Sequence, residues 1–145
     1  MFKKPKRWVR EVFIHCSASD HPDHDDVSVM DSLHKARGWS GVGYHYFIKK
    51  DGTLQIGRPI WKTPAAQGGR NKGTIAICLH GLTEDKFTEA QFITLIKLCS
   101  KIDEAYGPGK LRFRGHREVA AKACPVFDYK KVLKLNSKGQ FMGAK

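Results

Sequence analysis

The stretch "WVREVFIHCS", Trp8 to Ser17, governs how the rest of the chain is read. From about Val9 to Cys16 it is largely apolar, with Val12, Ile14 and Cys16 sharing one face and Phe13 and His15 the other. It reads as a largely buried strand that carries a histidine at its end. The polar run that follows, "SASDHPDHDD", has no periodicity and reads as a loop.

Beyond that loop, "SVMDSLHKARG" predicts a short helix, with Ser28 as N-cap, Val29, Met30 and Leu33 turned inward, and Gly38 as the stop. "YHYFIKKDGTLQIGR" predicts a hairpin around Asp51-Gly52, a strong short turn signal. The Gly-rich "QGGRNKG" leads into a second apolar strand, "TIAICLHG". Thr88 and Gln91 form a capping box that opens a long helix, with Phe92, Ile96, Cys99, Ile102 and Tyr106 along its inner face. "GPG" at 107–109 ends it, "KLRFRGH" is a short strand delivering His116, and "FDYKKVLKL" a small terminal helix. The pattern describes one α/β domain, residues 9–136, with a central sheet flanked by helices. A basic arm precedes it at 1–8, and residues 137–145 read as a loose tail.

The chain has 145 residues, 41% hydrophobic and 28% charged, the size and balance of a globular domain with a real core. No stretch reaches the length of a membrane span, so membrane insertion is not expected. The N-terminus has the positive region of an export signal without the apolar one, so a reducing compartment is expected for Cys16, Cys78, Cys99 and Cys124. The first three fall on apolar faces and read as core. A formal net charge of +12 implies an anionic partner, and adhesion to a cell envelope accounts for it more simply than specific nucleic-acid binding.

Two histidines close strands: His15 and His116. Cys124 follows His116 by eight residues. If the two strands are sheet neighbours, these three side chains converge, and two imidazoles with a thiolate suit zinc while leaving a fourth position open. Pro125 biases Cys124 toward extended geometry, which turns Lys122 to the same cavity. Spacing alone leaves a second reading open, a core histidine beside a buried thiol. His21 and His24 among Asp20, Asp23, Asp25 and Asp26 read as a solvated acidic loop, and His45 as a hydrogen-bonded core residue.

Four segments, "FIHCSAS", "GWSGVGYHYFIKKDGTLQIGR", "GTIAICLHG" and "GHREVAAKACPVFD", in that order resemble the zinc-dependent N-acetylmuramoyl-L-alanine amidases, and among them the small phage endolysins. Peptidoglycan recognition proteins share that fold. The likeness runs from about Val9 to Leu135. It implies zinc held by His15, His116 and Cys124, with Tyr44 and Lys122 as catalytic residues and Asn71 as a substrate contact. The reaction implied is hydrolysis of the amide between N-acetylmuramic acid and L-alanine of peptidoglycan by a zinc-activated water. It also implies a monomer made in the host cytoplasm, released to the wall through a holin-type pore, with phage RNA polymerase as a second partner near the N-terminus. Two positions depart from the pattern: Ala66 stands where relatives often carry histidine, and Leu33 where they often carry tryptophan.

Two alternatives remain at this point. Cys124 as a nucleophile with His116 as base describes a peptidase. A peptidoglycan-binding protein without catalysis is the other, and retention of the ligand set with Tyr44 and Lys122 argues for hydrolysis.

Overall fold

The computed structural model describes residues 2–142. Its centre is the strand β1 (Glu11–Cys16), buried at all six positions. It pairs in parallel with β4 (Thr74–Leu79) on one side and with β5 (Arg112–Gly115) on the other. A parallel strand flanked on both edges and covered on both faces has no solvent side, which is why Glu11 and His15 are buried along with Val12, Phe13 and Ile14. The hairpin strands β2 (Tyr46–Ile48) and β3 (Leu54–Ile56) complete a five-stranded sheet of order β3-β2-β4-β1-β5, antiparallel only between β2 and β3. Gly52 turns the hairpin at φ +88°, and a Cβ there would meet the Ala90 carbonyl oxygen at 2.8 Å. Glycine therefore serves the turn and the approach of the next helix together.

Helix α2 (Glu89–Tyr106) covers one face of the sheet. Leu95, Leu98, Cys99 and Ile102 join Val12, Ile14, Ile75 and Ile77 in the main core. The expected inner face is thus rotated: Phe92, Ile96 and Tyr106 are only partly buried and border the core. The reason lies at the cap. Gln91 closes the capping box with Thr88, and its amide also donates to the carbonyls of Ile48 and His80, which turns Gln91 and Leu95 into the sheet.

Helix α1 (Val27–Ala36) serves the other face, where Met30 and Val42 pack with Phe47 and Cys78. Its N-cap is Asp26, not Ser28: Asp26 Oδ1 accepts from Ser28 N at 2.9 Å. A carboxylate there also meets the positive end of the helix. Val29 and Leu33 are half-buried, whereas His34 joins Met30 as a buried residue.

The ends of the chain are more ordered than their composition suggests. Phe2 packs against Tyr106, and Arg7 Nε donates to the Ile60 carbonyl at 2.9 Å. After α3 (Tyr129–Val132), residues 137–142 are not loose. Phe113 N donates to Gly139 O at 2.8 Å, and Phe141, 1% exposed, lies 5.7 Å from the Phe113 ring. A fully buried Phe side chain stabilises by about 1.5–3 kcal/mol, and together with the backbone bond from Phe113 it ties the segment to β5. Residues 143–145 of the expected tail lie outside the described residues.

Candidate active site

His15 sits near the end of β1, opposite Cys78 of β4 on the α1 side of the sheet. His116 follows β5 directly, where the strand tips into a 3-10 turn, His116–Glu118. Parallel pairing of β1 with β5 is what brings these strand ends together, their ring centroids 4.7 Å apart. Open α/β sheets place sites at the carboxyl ends of such strands. A carboxylate fixes the turn that presents His116. Glu118 accepts from Gly115 N at 2.9 Å, contacts the Tyr129 hydroxyl and takes the Arg114 guanidinium, which also reaches Glu11 at 3.0 Å.

Cys124 is returned to the same place by Arg117. Its backbone N–H donates to Cys124 O at 2.6 Å, its side chain donates to the carbonyls of Pro125 and Phe127, and its guanidinium lies over the Tyr129 ring. These contacts close the loop between the two candidate ligands. Lys122 lies in that loop, in a bend rather than an extended run, with its N–H on Ala120 O. It nevertheless lines the same cleft as Cys124.

The ligand atoms of His15, His116 and Cys124 all lie within 4.8 Å of one another, and His15 Nδ1 is 3.8 Å from Cys124 Sγ. Zinc sits about 2.0–2.1 Å from nitrogen and about 2.3 Å from sulfur, so neighbouring donors of a tetrahedral site lie roughly 3.5 Å apart. The trio is close to that size and has the right atoms. Its protonation suits it too. Burial, then the neighbouring His116, lowers His15 to about 3, and burial followed by Lys122 lowers His116. Both imidazoles are therefore neutral near neutral pH, with a lone pair to give. Cys124 is different. Contact with the Cys16 thiol, then burial, pushes its thiol up, while the Cys16 N–H aimed at its sulfur from 3.2 Å works the other way. A cation on the two imidazole nitrogens would supply the charge that a Cys124 thiolate needs.

These three residues floor a cleft of about 480 Å³. Tyr44 forms part of its wall, its ring 5.2 Å from that of His15. Burial raises the Tyr44 phenol well above its usual value, so it is a proton-bearing donor at any working pH. Lys122 is exposed at the rim. Among the described residues no aspartate or glutamate lines the cleft. The arrangement offers three ligand atoms, a neutral hydroxyl donor and a cation around one space.

Residues 4–127 match the model of the family described as N-acetylmuramoyl-L-alanine amidase. The chain belongs to that family. It is 37% identical to the endolysin of Enterobacteria phage T3 over 88% of this chain and 87% of that protein. Its fold superposes on the N-acetylmuramoyl-L-alanine amidase LysC of Clostridium intestinale with a TM-score of 0.76 and 27% identity, covering 87% and 83% of the two chains. Drosophila PGRP-LB shares the fold, with a TM-score of 0.72 and 23% identity over 85% of this chain and 78% of the other.

On this amidase scaffold Asn71 stands apart from the other expected site residues. It does not line the cleft; its Oδ1 accepts from Ala66 N and Gln67 N at 2.9 and 3.0 Å, so it shapes the loop from within. Ala66 and Leu33, the two positions expected to depart from the family pattern, both line the cleft. His45 is 1% exposed, accepts Ala76 N at Nδ1 and meets Lys62 O with Nε2, as a core histidine does. In the acidic loop Asp26 caps α1, Asp25 accepts from Lys50 N, and Asp20 pairs with the Lys50 ammonium.

Sequence reading missed three residues of the site. Gln67, fully buried, meets His15 Nε2 at 2.8 Å, and nothing in a Gly-rich stretch announces that. His34 and Trp39 line the cleft, with the Trp39 ring edge-on to His34. The four-residue step from the inward Met30 to His34 is the signal that could have placed His34.

Proposed function

We propose that this amidase is a phage endolysin, cutting the amide that joins the lactyl group of N-acetylmuramic acid to L-alanine in peptidoglycan. What carries the reading is the convergence of His15, His116 and Cys124 under a cleft walled by Tyr44 and rimmed by Lys122. His15 and His116 would hold zinc by neutral imidazole nitrogens and Cys124 by its thiolate. Bound there, zinc supplies Lewis acidity toward the scissile carbonyl and makes water nucleophilic at neutral pH. Tyr44 donates its hydroxyl proton to the attacking water or to the oxygen that becomes negative, and the Lys122 ammonium balances that charge from the rim. Trp39 and Arg37 both line the cleft, the guanidinium over the ring, and offer an apolar face and a cation to the stem peptide. Cleavage of the sugar bond needs two carboxylates, and no carboxylate lines the cleft among the described residues.

The protein acts at the cell wall as a monomer, after release through a holin-type pore. No helix among the described residues is long and apolar enough to cross a membrane. Phage RNA polymerase, implied by the resemblance, would meet the exposed Lys3, Lys4, Lys6 and Trp8 near the N-terminus.

Digestion of purified peptidoglycan tests the reaction. New L-alanine amino termini should appear without new reducing ends, a strong chelator should stop the release, and added zinc should restore it. New reducing ends, or undiminished hydrolysis by fully demetallated protein, would overturn the reading.

A further inference from the structure

We infer that Gln67 is the positioning residue that decides which nitrogen of His15 is offered to a metal. The inference rests on reading His15, His116 and Cys124 as a metal centre. Gln67 is 0% exposed, and its amide is engaged at both ends. The amide nitrogen lies 3.1 Å from Arg70 O and 2.8 Å from Thr74 Oγ1. The oxygen lies 2.8 Å from His15 Nε2. A backbone carbonyl can only accept, so Arg70 O requires the NH₂ end of Gln67 to face it. Thr74 agrees: its hydroxyl donates to Asn71 O at 2.8 Å, which leaves its lone pairs for the Gln67 amide.

The orientation of the amide is therefore settled by its surroundings, and the oxygen is left facing His15. An amide oxygen accepts only, so His15 Nε2 must carry the proton. A neutral imidazole has one N–H, and Nδ1 is then the atom with the free lone pair. Nδ1 is the nitrogen 3.8 Å from Cys124 Sγ. Asn71 extends the same chain of bonds, since its Oδ1 holds Gln67 N at 3.0 Å. The loop 66–71, the first residue of β4 and the end of β1 are thus joined in one directed chain of donors that ends at a metal-facing lone pair. Many metal-bound histidines are oriented by a carboxylate. Here a neutral amide does so and adds no charge to the ligand set.

The metal-free wild-type chain gives the first test, by nitrogen NMR of His15. The expected result is the form protonated at Nε2, and a His15 protonated at Nδ1 overturns the inference. Zinc affinity, measured by competition with a chromophoric chelator, gives the second. Gln67→Met keeps the bulk and removes the acceptor, and its zinc dissociation constant should rise about 10–100-fold. Thr74→Val, which only frees the far end of the amide, should raise it by less and serves if Gln67→Met does not fold. A merely structural glutamine would lower thermal stability while leaving the zinc affinity of the folded protein and the His15 tautomer unchanged; folded variants that bind zinc as tightly as wild type overturn the inference. A wild-type chain that binds no zinc overturns the metal reading instead.

Discussion

Tyr44→Phe separates catalysis from metal binding and from folding. The substitution removes one oxygen and leaves the ring, whose centroid lies 5.2 Å from His15 and 5.9 Å from His34. Packing around the ligand is therefore kept. The hydroxyl meets the Cys78 side chain, a weak partner, so its loss should cost at most about 1.5 kcal/mol of stability. For a chain of this size that is a fall in Tm of about 3–6 °C. The effect on turnover should be much larger. A preorganised donor to the developing oxyanion is worth about 10²–10³ in kcat, or about 2.7–4 kcal/mol. The loss should fall on kcat, since the donor does its work in the transition state. Because burial holds the phenol protonated, the shape of the pH–rate profile should not change. The assay pairs release of L-alanine amino termini from peptidoglycan with zinc content by mass spectrometry. A folded, zinc-loaded variant within about threefold of wild-type kcat would remove Tyr44 from the mechanism, and loss of zinc would show that the phenol supports the ligands instead.

Cys124→Ala and Lys122→Met should part company although the residues are two apart. The first removes a ligand, so zinc and activity fall together; the second keeps zinc and loses about 10²–10³ in turnover. Zinc retained in Cys124→Ala, with alkylation of the metal-free wild type abolishing activity, would favour a cysteine nucleophile. Acid should also destabilise the metal-free protein before most carboxylates titrate. Burial lowers His15 to about 3 and His45 to about 4 in the folded state, against about 6.5 unfolded. Between those values the unfolded chain binds more protons, so stability rises with pH and is lost as pH falls from about 6.5 toward 3. A urea midpoint that stays level from about pH 7 to about pH 5 would contradict this.

How far the molecule could be read in advance depends on the range over which each signal acts. Asp51-Gly52 and the Thr88–Gln91 box are local, complete within four residues, and both form as the sequence predicts. The parity of β1 is likewise local: Val12 and Ile14 meet α2, and His15 takes the other face. Where local signals compete, tertiary contacts decide. Asp26 and Ser28 are both acceptable caps, and Asp26 takes the position where Gln55 of β3 accepts from Val27 N at 2.7 Å at the start of the helix. Phe141 sits in a polar tail whose composition says loose, yet a facing aromatic on β5 captures it. The site follows the same rule. That His15 and His116 end strands is visible in the sequence; that those strands are adjacent is a matter of sheet order, to which periodicity is blind. The motif around His116 hides its own logic as well. Arg117 and Glu118 carry no signal of their own in the sequence, yet one closes the loop on Cys124 and the other anchors the turn of His116. The candidate ligands are residue types whose chemistry the sequence displays, whereas the residues that aim them are ordinary polar side chains whose partners lie elsewhere in the chain. Gln67, 52 residues from His15, is the extreme case. A sequence therefore exposes the atoms that react sooner than the atoms that hold them, because reactivity belongs to a residue type and orientation belongs to the fold.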